Sequence, residues 1–228
     1  MWPVAPVTKT RTLTPTIRLR RITVHRHGTQ SYHYADGVPR WEPNPRERLE
    51  RAAIELFSEQ GYDDTTVEQI AAGAGLARST FFRHFGDKRE ILFGGQDGLA
   101  SRLAASIENA PPEQTALEAI ETAFADIGAG WFTPQRRDLA PRRISIVASH
   151  PELWERELLK RGGITNAIAA ALRSRGLEEP ATTVAAGLAT LAFSQTIAAW
   201  AEPANTEEFH AIARRVLRRL HTAAADLS

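Results

Sequence analysis

From Asn44 onward, apolar residues recur every three to four positions, and proline or glycine interrupts the pattern often enough to cut it into helices of moderate length. The first shows the rule: Leu49, Ala52, Ala53, Leu56 and Phe57 fall at i, i+3, i+4, i+7 and i+8. Asn44 is a fitting N-cap, Pro45 a fitting first helical residue, and Gly61 a fitting stop. Later helices are expected near 87–106, 113–130, 136–149, 151–175, 180–201 and 205–225. The breaks fall at Pro111-Pro112, Pro134, Pro151, Gly176 with Pro180, and Pro203. No repeat and no strand-rich region appears, so the reading is an all-α protein of roughly nine or ten helices.

Residues 1–43 obey no such period. Five prolines fall here, and seven basic residues (Lys9, Arg11, Arg18, Arg20, Arg21, Arg26 and Arg40) oppose only Asp36 and Glu42. The whole chain carries +1, so this +5 arm leaves a balance of −4 on the remainder. A flexible arm is expected, with a short strand over 16–24 as its one β-prone segment. A near-neutral total argues against a protein that is basic throughout and permits a local basic patch. The absence of cysteine excludes disulfides, thiolate metal sites and thiol nucleophiles, and fits a reducing cytoplasm. The uncharged stretch 180–201 is long enough to cross a bilayer, but its Ala, Thr, Ser and Gln content favours a packed helix and no membrane contact. The N-terminus shows no secretory signal pattern.

The segment 65–85 has the mechanics of a helix-turn-helix. Thr65 with Glu68 three residues on resembles a capping box, and Val67, Ile70, Ala71 and Ala74 give the following helix an apolar stripe. Gly75 stands where a sharp turn demands a left-handed backbone, and Leu76 would fill the space beneath it. The second helix then begins near Ala77. Its Phe81 and Phe85, four apart, would point inward and leave Arg78, Ser79, Thr80, Phe82, Arg83 and His84 outward. The competing reading is one more helical hairpin with solvated arginines.

The run from Leu49 to Leu92, ending Ser79-Thr80-Phe81-Phe82-Arg83-His84-Phe85-Gly86-Asp87-Lys88-Arg89-Glu90-Ile91-Leu92, resembles the DNA-binding domain of TetR-family transcriptional regulators. The resemblance implies a helix-turn-helix domain over 44–92 and a helical ligand-binding and dimerisation domain over 93–228. It assigns phosphate contact to Thr66, His84 and Lys88, and base or nearby contact to Arg78, Ser79, Thr80 and Arg83, with Arg78 the best reader of a guanine edge. Phe82 stands where the family usually has Tyr, so one hydroxyl contact to phosphate is lost. A histidine satisfied within the fold is the alternative for His84. The basic arm would add minor-groove or phosphate contacts, unless it is a tail without a role or the natural protein starts near Val38.

The same resemblance implies a homodimer on a palindromic operator. Helix 180–201, apolar or small on every side, and helix 205–225, with Phe209, Ile212, Ala213, Val216, Leu217 and Leu220 on one face, would supply the interface. Completion of a monomeric core is the alternative. Segments 92–97 and 142–157 are similar to the mycofactocin-regulator branch, which implies an acyl-CoA effector. Phe124, Ile127, Trp131, Phe132, Ile144, Val147, Leu153 and Trp154 would line a tunnel for it, and Arg142 or Arg143 would meet its phosphates.

The resulting expectation is a ligand-responsive transcriptional regulator, a repressor released by a small apolar or acyl-CoA-type effector, with an activator as the alternative. No enzyme signature is found: no phosphate-binding glycine loop follows a strand, and no nucleophile elbow or helical histidine pair occurs. No cofactor is implied. His25, His27, His33 and Asp36 could in principle gather a metal, but they lie in the proline-rich arm, where a pre-formed site is not expected. A helical adaptor using 180–220 is the remaining class.

Overall fold

A computed structural model describes residues 44–93 and 98–227, all within one compact unit that spans 42–228. The arm, its expected strand at 16–24 and its histidines therefore lie outside the described residues. Among the described residues there are eleven helices and no strand. They are α1 (Pro45–Gln60), α2 (Val67–Gly73), α3 (Arg78–His84), α4 (Glu90–Phe93), α5 (Leu99–Glu108), α6 (Ala116–Trp131), α7 (Pro134–Arg137), α8 (Ala140–Ser149), α9 (Pro151–Ser174), α10 (Ala181–Trp200) and α11 (Phe209–Ala225).

Two expected helices are each divided. The one expected at 87–106 becomes α4 and α5, and Gly98, with φ +81°, sits just before Leu99 in a conformation that L side chains avoid. The one expected at 136–149 becomes α7 and α8, because Pro141 has no N–H to continue a helix and instead occupies the first turn of α8. Local chemistry fixes the other ends. Asn44 caps α1 by accepting from Arg46 N at 3.1 Å, and Thr115 and Glu118 form a reciprocal capping box on α6. Gly176, φ +86°, closes α9, and Arg175 reaches across to donate to the carbonyls of Ala110, Pro111 and Gln114.

The buried apolar residues form two clusters. The larger joins α5, α6, α9, α10 and α11 and includes Leu103, Ile120, Phe124, Ile168, Phe193, Trp200 and Ile212. Small residues let these helices approach: Ala186, Ala189 and Ala192 are buried on α10, and a Cβ on Gly128 would lie 3.2 Å from Phe209 Cδ1. Phe209 in turn stacks on Phe132 with ring centroids 3.7 Å apart. By length and composition α10 could span a bilayer, yet Thr182, Phe193, Thr196 and Trp200 are buried against its neighbours.

The smaller cluster contains Leu49, Ala53, Phe57, Ile70, Phe81, Phe85 and Phe93 from the first four helices, together with Ile146 and Val147 of α8 and Leu153 of α9. The core beneath the helix-turn-helix is thus completed by residues more than fifty positions downstream. Burying each such side chain contributes roughly 1.5–3 kcal/mol, so α8 is held to the N-terminal helices by several kcal/mol of apolar contact.

Candidate nucleic-acid interface and cavity

The helix-turn-helix is set by its caps and its turn. Thr66, rather than Thr65, caps α2: its hydroxyl accepts from Gln69 N, and Gln69 Oε1 accepts from Thr66 N at 2.8 Å. Thr65 is drawn elsewhere, since its hydroxyl donates to Gly61 O at 2.7 Å, so the box expected at Thr65–Glu68 forms one residue later. Glu68 is left exposed. At the other end of α2, Gly75 N donates to Ala72 O at 2.9 Å and Leu76 N to Ala71 O at 2.8 Å, a Schellman closure with Gly75 at φ +64°. Arg48 of α1 donates to Ala74 O at 2.6 Å, which ties the turn to the first helix.

On α3, Phe81 and Phe85 are buried with centroids 5.6 Å apart, and this orientation exposes Arg78, Ser79, Phe82 and Arg83 on one side. Thr80 and His84 are half-buried, and Thr66 is exposed at the start of α2. The Phe82 ring, 44% exposed, lies 4.8 Å from the Arg78 guanidinium, which also pairs with Glu68. Arg78 is therefore held between an aromatic face and a carboxylate before any partner arrives. His84 Nε2 is buried and has no hydrogen-bond partner among the described residues.

Lys88 stands differently from the others. Its Nζ donates to the carbonyls of Tyr62 at 2.8 Å, Asp63 at 3.1 Å and Thr65 at 3.3 Å, and lies 4.4 Å from the Tyr62 ring. These bonds hold the turn before α2. Burial, with the nearby carboxylates of Glu152 and Asp87, pushes the Tyr62 phenol up to about 12.

Beyond Lys88, cations of α8 and α9 fasten α4. Arg143 Nε donates to Leu92 O at 2.6 Å while its Nη2 meets Glu157 at 3.1 Å, and Lys160 donates to Phe93 O at 2.9 Å. Arg156 pairs with Glu90 at 3.4 Å, and all three cations lie within 5.5 Å of the Phe93 ring.

Next to this junction lies a cavity of about 110 Å³. Its walls come from α1 (Glu50, Ile54), α4 (Ile91, Leu92), α5 (Leu99), α6 (Trp131), α8 (Ala140, Arg143, Ile144) and α10 (Ile197, Trp200), with Phe132, Arg136 and Leu139 closing it. Of the residues expected to bind a ligand, Trp131, Phe132, Arg143 and Ile144 are here. Phe124, Ile127, Val147 and Leu153 are instead buried in the two cores, and Arg142 and Trp154 are exposed on the surface. The helical period that placed those residues inward reports burial, not proximity to a void.

The other ten lining residues were not expected there, and Glu50, Arg136 and Trp200 stand out among them. Glu50 accepts from Arg46 Nε at 3.3 Å and faces Arg136 at 3.7 Å, and burial pushes its carboxyl above the usual range while both arginines pull it back. Trp200 is 2% exposed, and its buried Nε1–H meets no acceptor among the described residues. A signal for Glu50 was present in its spacing, four residues before the apolar Ile54 on the same face of α1.

A second groove, of about 400 Å³, runs between α6, α10 and α11 and is lined by Leu117, Ile120, Val184, Leu188 and Leu217. Next to it the outward face of α10 presents Val184 and Leu191, 54% and 47% exposed.

Residues 50–94 match the family described as bacterial regulatory proteins, tetR family. Over 79 residues the chain is 40% identical to the transcriptional regulator TcmR of Streptomyces glaucescens, covering 35% of each chain. Over 117 residues it is 29% identical to the mycofactocin biosynthesis transcriptional regulator MftR of Mycobacterium tuberculosis, covering 51% of this chain and 58% of that one. The chain thus spans about a third to three fifths of the length of these relatives. Among solved structures, a TetR-family protein from Syntrophomonas wolfei superposes with a TM-score of 0.56 at 18% identity, covering 79% of this chain and 95% of that one. That likeness establishes a shared all-helical fold.

Proposed function

We propose that this chain, which carries a TetR-family DNA-binding domain, is a dimeric repressor released from a palindromic operator by a small effector. The observation that carries the DNA-binding reading is the exposed face of α3: Arg78, Ser79, Phe82 and Arg83 project from a helix fixed from beneath by Phe81 and Phe85. Arg78 is the reader of a base edge, and Ser79, Thr80 and Arg83 support it. Thr66 offers its hydroxyl and the free amides at the start of α2 to a phosphate, whereas His84, with its Nε2 buried, supports α3 from the side of the fold. Phe82 gives an apolar contact to a thymine methyl or sugar. Lys88, already committed to three carbonyls, serves the interface by positioning the turn before α2.

The exposed Val184 and Leu191 and the adjoining groove support a dimer through α10 and α11. Two-fold symmetry then sets two copies of α3 about 34–36 Å apart, one turn of the duplex. Space for on the order of ten non-hydrogen atoms in the 110 Å³ cavity favours a small effector over an acyl-CoA. Cytoplasmic location follows from this role.

The test is footprinting of the full chain on DNA upstream of its own gene across a range of salt. A protected palindrome whose affinity falls steeply with salt, and falls further in Arg78→Ala, is the expected result. Equal affinity for random DNA at every salt concentration would overturn the reading. Induction of the neighbouring promoter on deleting the gene is expected of a repressor, and its silencing would show an activator. The variant Val184→Glu with Leu191→Glu is expected to run as a monomer and to lose most operator affinity.

A further inference from the structure

We propose that the cavity beneath α1 is a site for a small aromatic carboxylate that competes with Glu50 for Arg136 and thereby releases α1 from α7. This inference rests on the reading of the chain as an effector-controlled regulator and names the chemistry of that effector.

Three features of the cavity select the ligand. Of its lining arginines, Arg143 is met by Glu157, but Glu50 is shared by Arg46 and Arg136, so one positive charge is left over beside it and an anion fits better than a cation. The remaining walls are apolar and include the rings of Trp131, Phe132 and Trp200, which suit a flat hydrocarbon body. The size of the cavity admits a body like benzoate.

Of the two arginines, Arg143 is already bound to Leu92 O at 2.6 Å and to Glu157 at 3.1 Å. Arg136 meets Glu50 at 3.7 Å, longer than a hydrogen bond. A ligand carboxylate can offer Arg136 a bidentate partner in place of that loose pair. Glu50 keeps Arg46 on its own helix, so its charge is not stranded when Arg136 turns away. The Glu50–Arg136 pair ties α1 to α7, and α1 carries the Arg48 bond to the helix-turn-helix turn. Ligand and operator then act on opposite states of one contact.

The test is titration calorimetry of the full chain with benzoate, benzyl alcohol and benzylamine, followed by operator affinity with and without benzoate. Benzoate should bind one per subunit and about tenfold tighter than benzyl alcohol, with benzylamine weaker still. Arg136→Gln should lose about tenfold in benzoate affinity and Arg136→Lys much less, which separates lost charge from lost folding. Glu50→Gln should bind benzoate more tightly, since no carboxylate competes for Arg136, and its operator affinity should no longer respond to benzoate. Benzylamine or benzyl alcohol binding as tightly as benzoate, or Arg136→Gln binding it unchanged, would overturn the proposal. Failure of the untreated chain to bind any upstream DNA would instead defeat the regulator reading, and the calorimetry would still judge the site.

Discussion

The helix-turn-helix and the cavity lie at the two ends of α1's contacts, and they are held together in opposite ways. In the first, the cap and the turn are closed by bonds within a few positions, Thr66 with Gln69, Thr65 with Gly61 and Gly75 with Ala72, and Arg48 and Lys88 add bonds to its backbone carbonyls. In the second, the bonds join distant segments, with Glu50 facing Arg136 and Arg143 bridging Leu92 to Glu157, around a space that the chain leaves open. Short-range closure makes a stiff unit with one arrangement. Long-range ion pairs around a void can be re-paired at small cost, so the cavity is where the molecule can change and the helix-turn-helix is the part that is moved.

That contrast can be broken by substitutions on either side. Phe81→Ala, at the fully buried centre of the α3 packing, should lower stability by about 3–5 kcal/mol in urea unfolding. A loss under 1 kcal/mol would mean that the segment is not the stiff unit described. Arg143→Met removes two bonds across the junction and should cost about 1.5–3 kcal/mol, with α4 amides exchanging faster while α2 keeps its protection. Gly75→Ala forces an L residue to φ +64° and places its Cβ 2.9 Å from Arg48 Nη2, for a loss of about 1–2 kcal/mol. Thr66→Ala removes the α2 cap and should cost about 1 kcal/mol, whereas Thr65→Ala should leave that cap intact.

A further effect is one of pH. The folded Tyr62 phenol ionises near 12 and the unfolded one near 10. Between these values the unfolded chain has released a proton that the folded chain keeps, so this contribution is full below pH 10 and is lost as pH rises through 12. Tyr62→Phe should remove that slope from stability measured against pH, and a tyrosinate absorbance midpoint at 10 for every tyrosine would contradict the burial argument.

The same contrast explains how much of the molecule was legible in the sequence. Gly75, Leu76, Phe81 and Phe85 were readable because turn chemistry and a four-residue period act locally. Where two equivalent threonines stood together, the sequence pattern pointed to the wrong one. Only the carbonyl of Gly61, across a loop, draws Thr65 away and leaves Thr66 to cap. The division of α4 from α5 and of α7 from α8 was written in Gly98 and Pro141, but the apolar period on either side masked both. Among the expected ligand residues, Phe124 and Ile127 share their period with Trp131, and only packing separates core from cavity wall. Glu50, Arg136 and Trp200 meet from three helices at separations that no local pattern encodes.

The core under the helix-turn-helix is completed by α8 and α9. Hydrogen exchange of Leu153→Ala against the unaltered chain tests this directly, because Leu153 is fully buried and lies well outside residues 66–85. Faster exchange is expected at the amides of Ile70, Phe81 and Phe85 together with those of α8. Faster exchange confined to α8 and α9, with α2 and α3 unchanged, would contradict it.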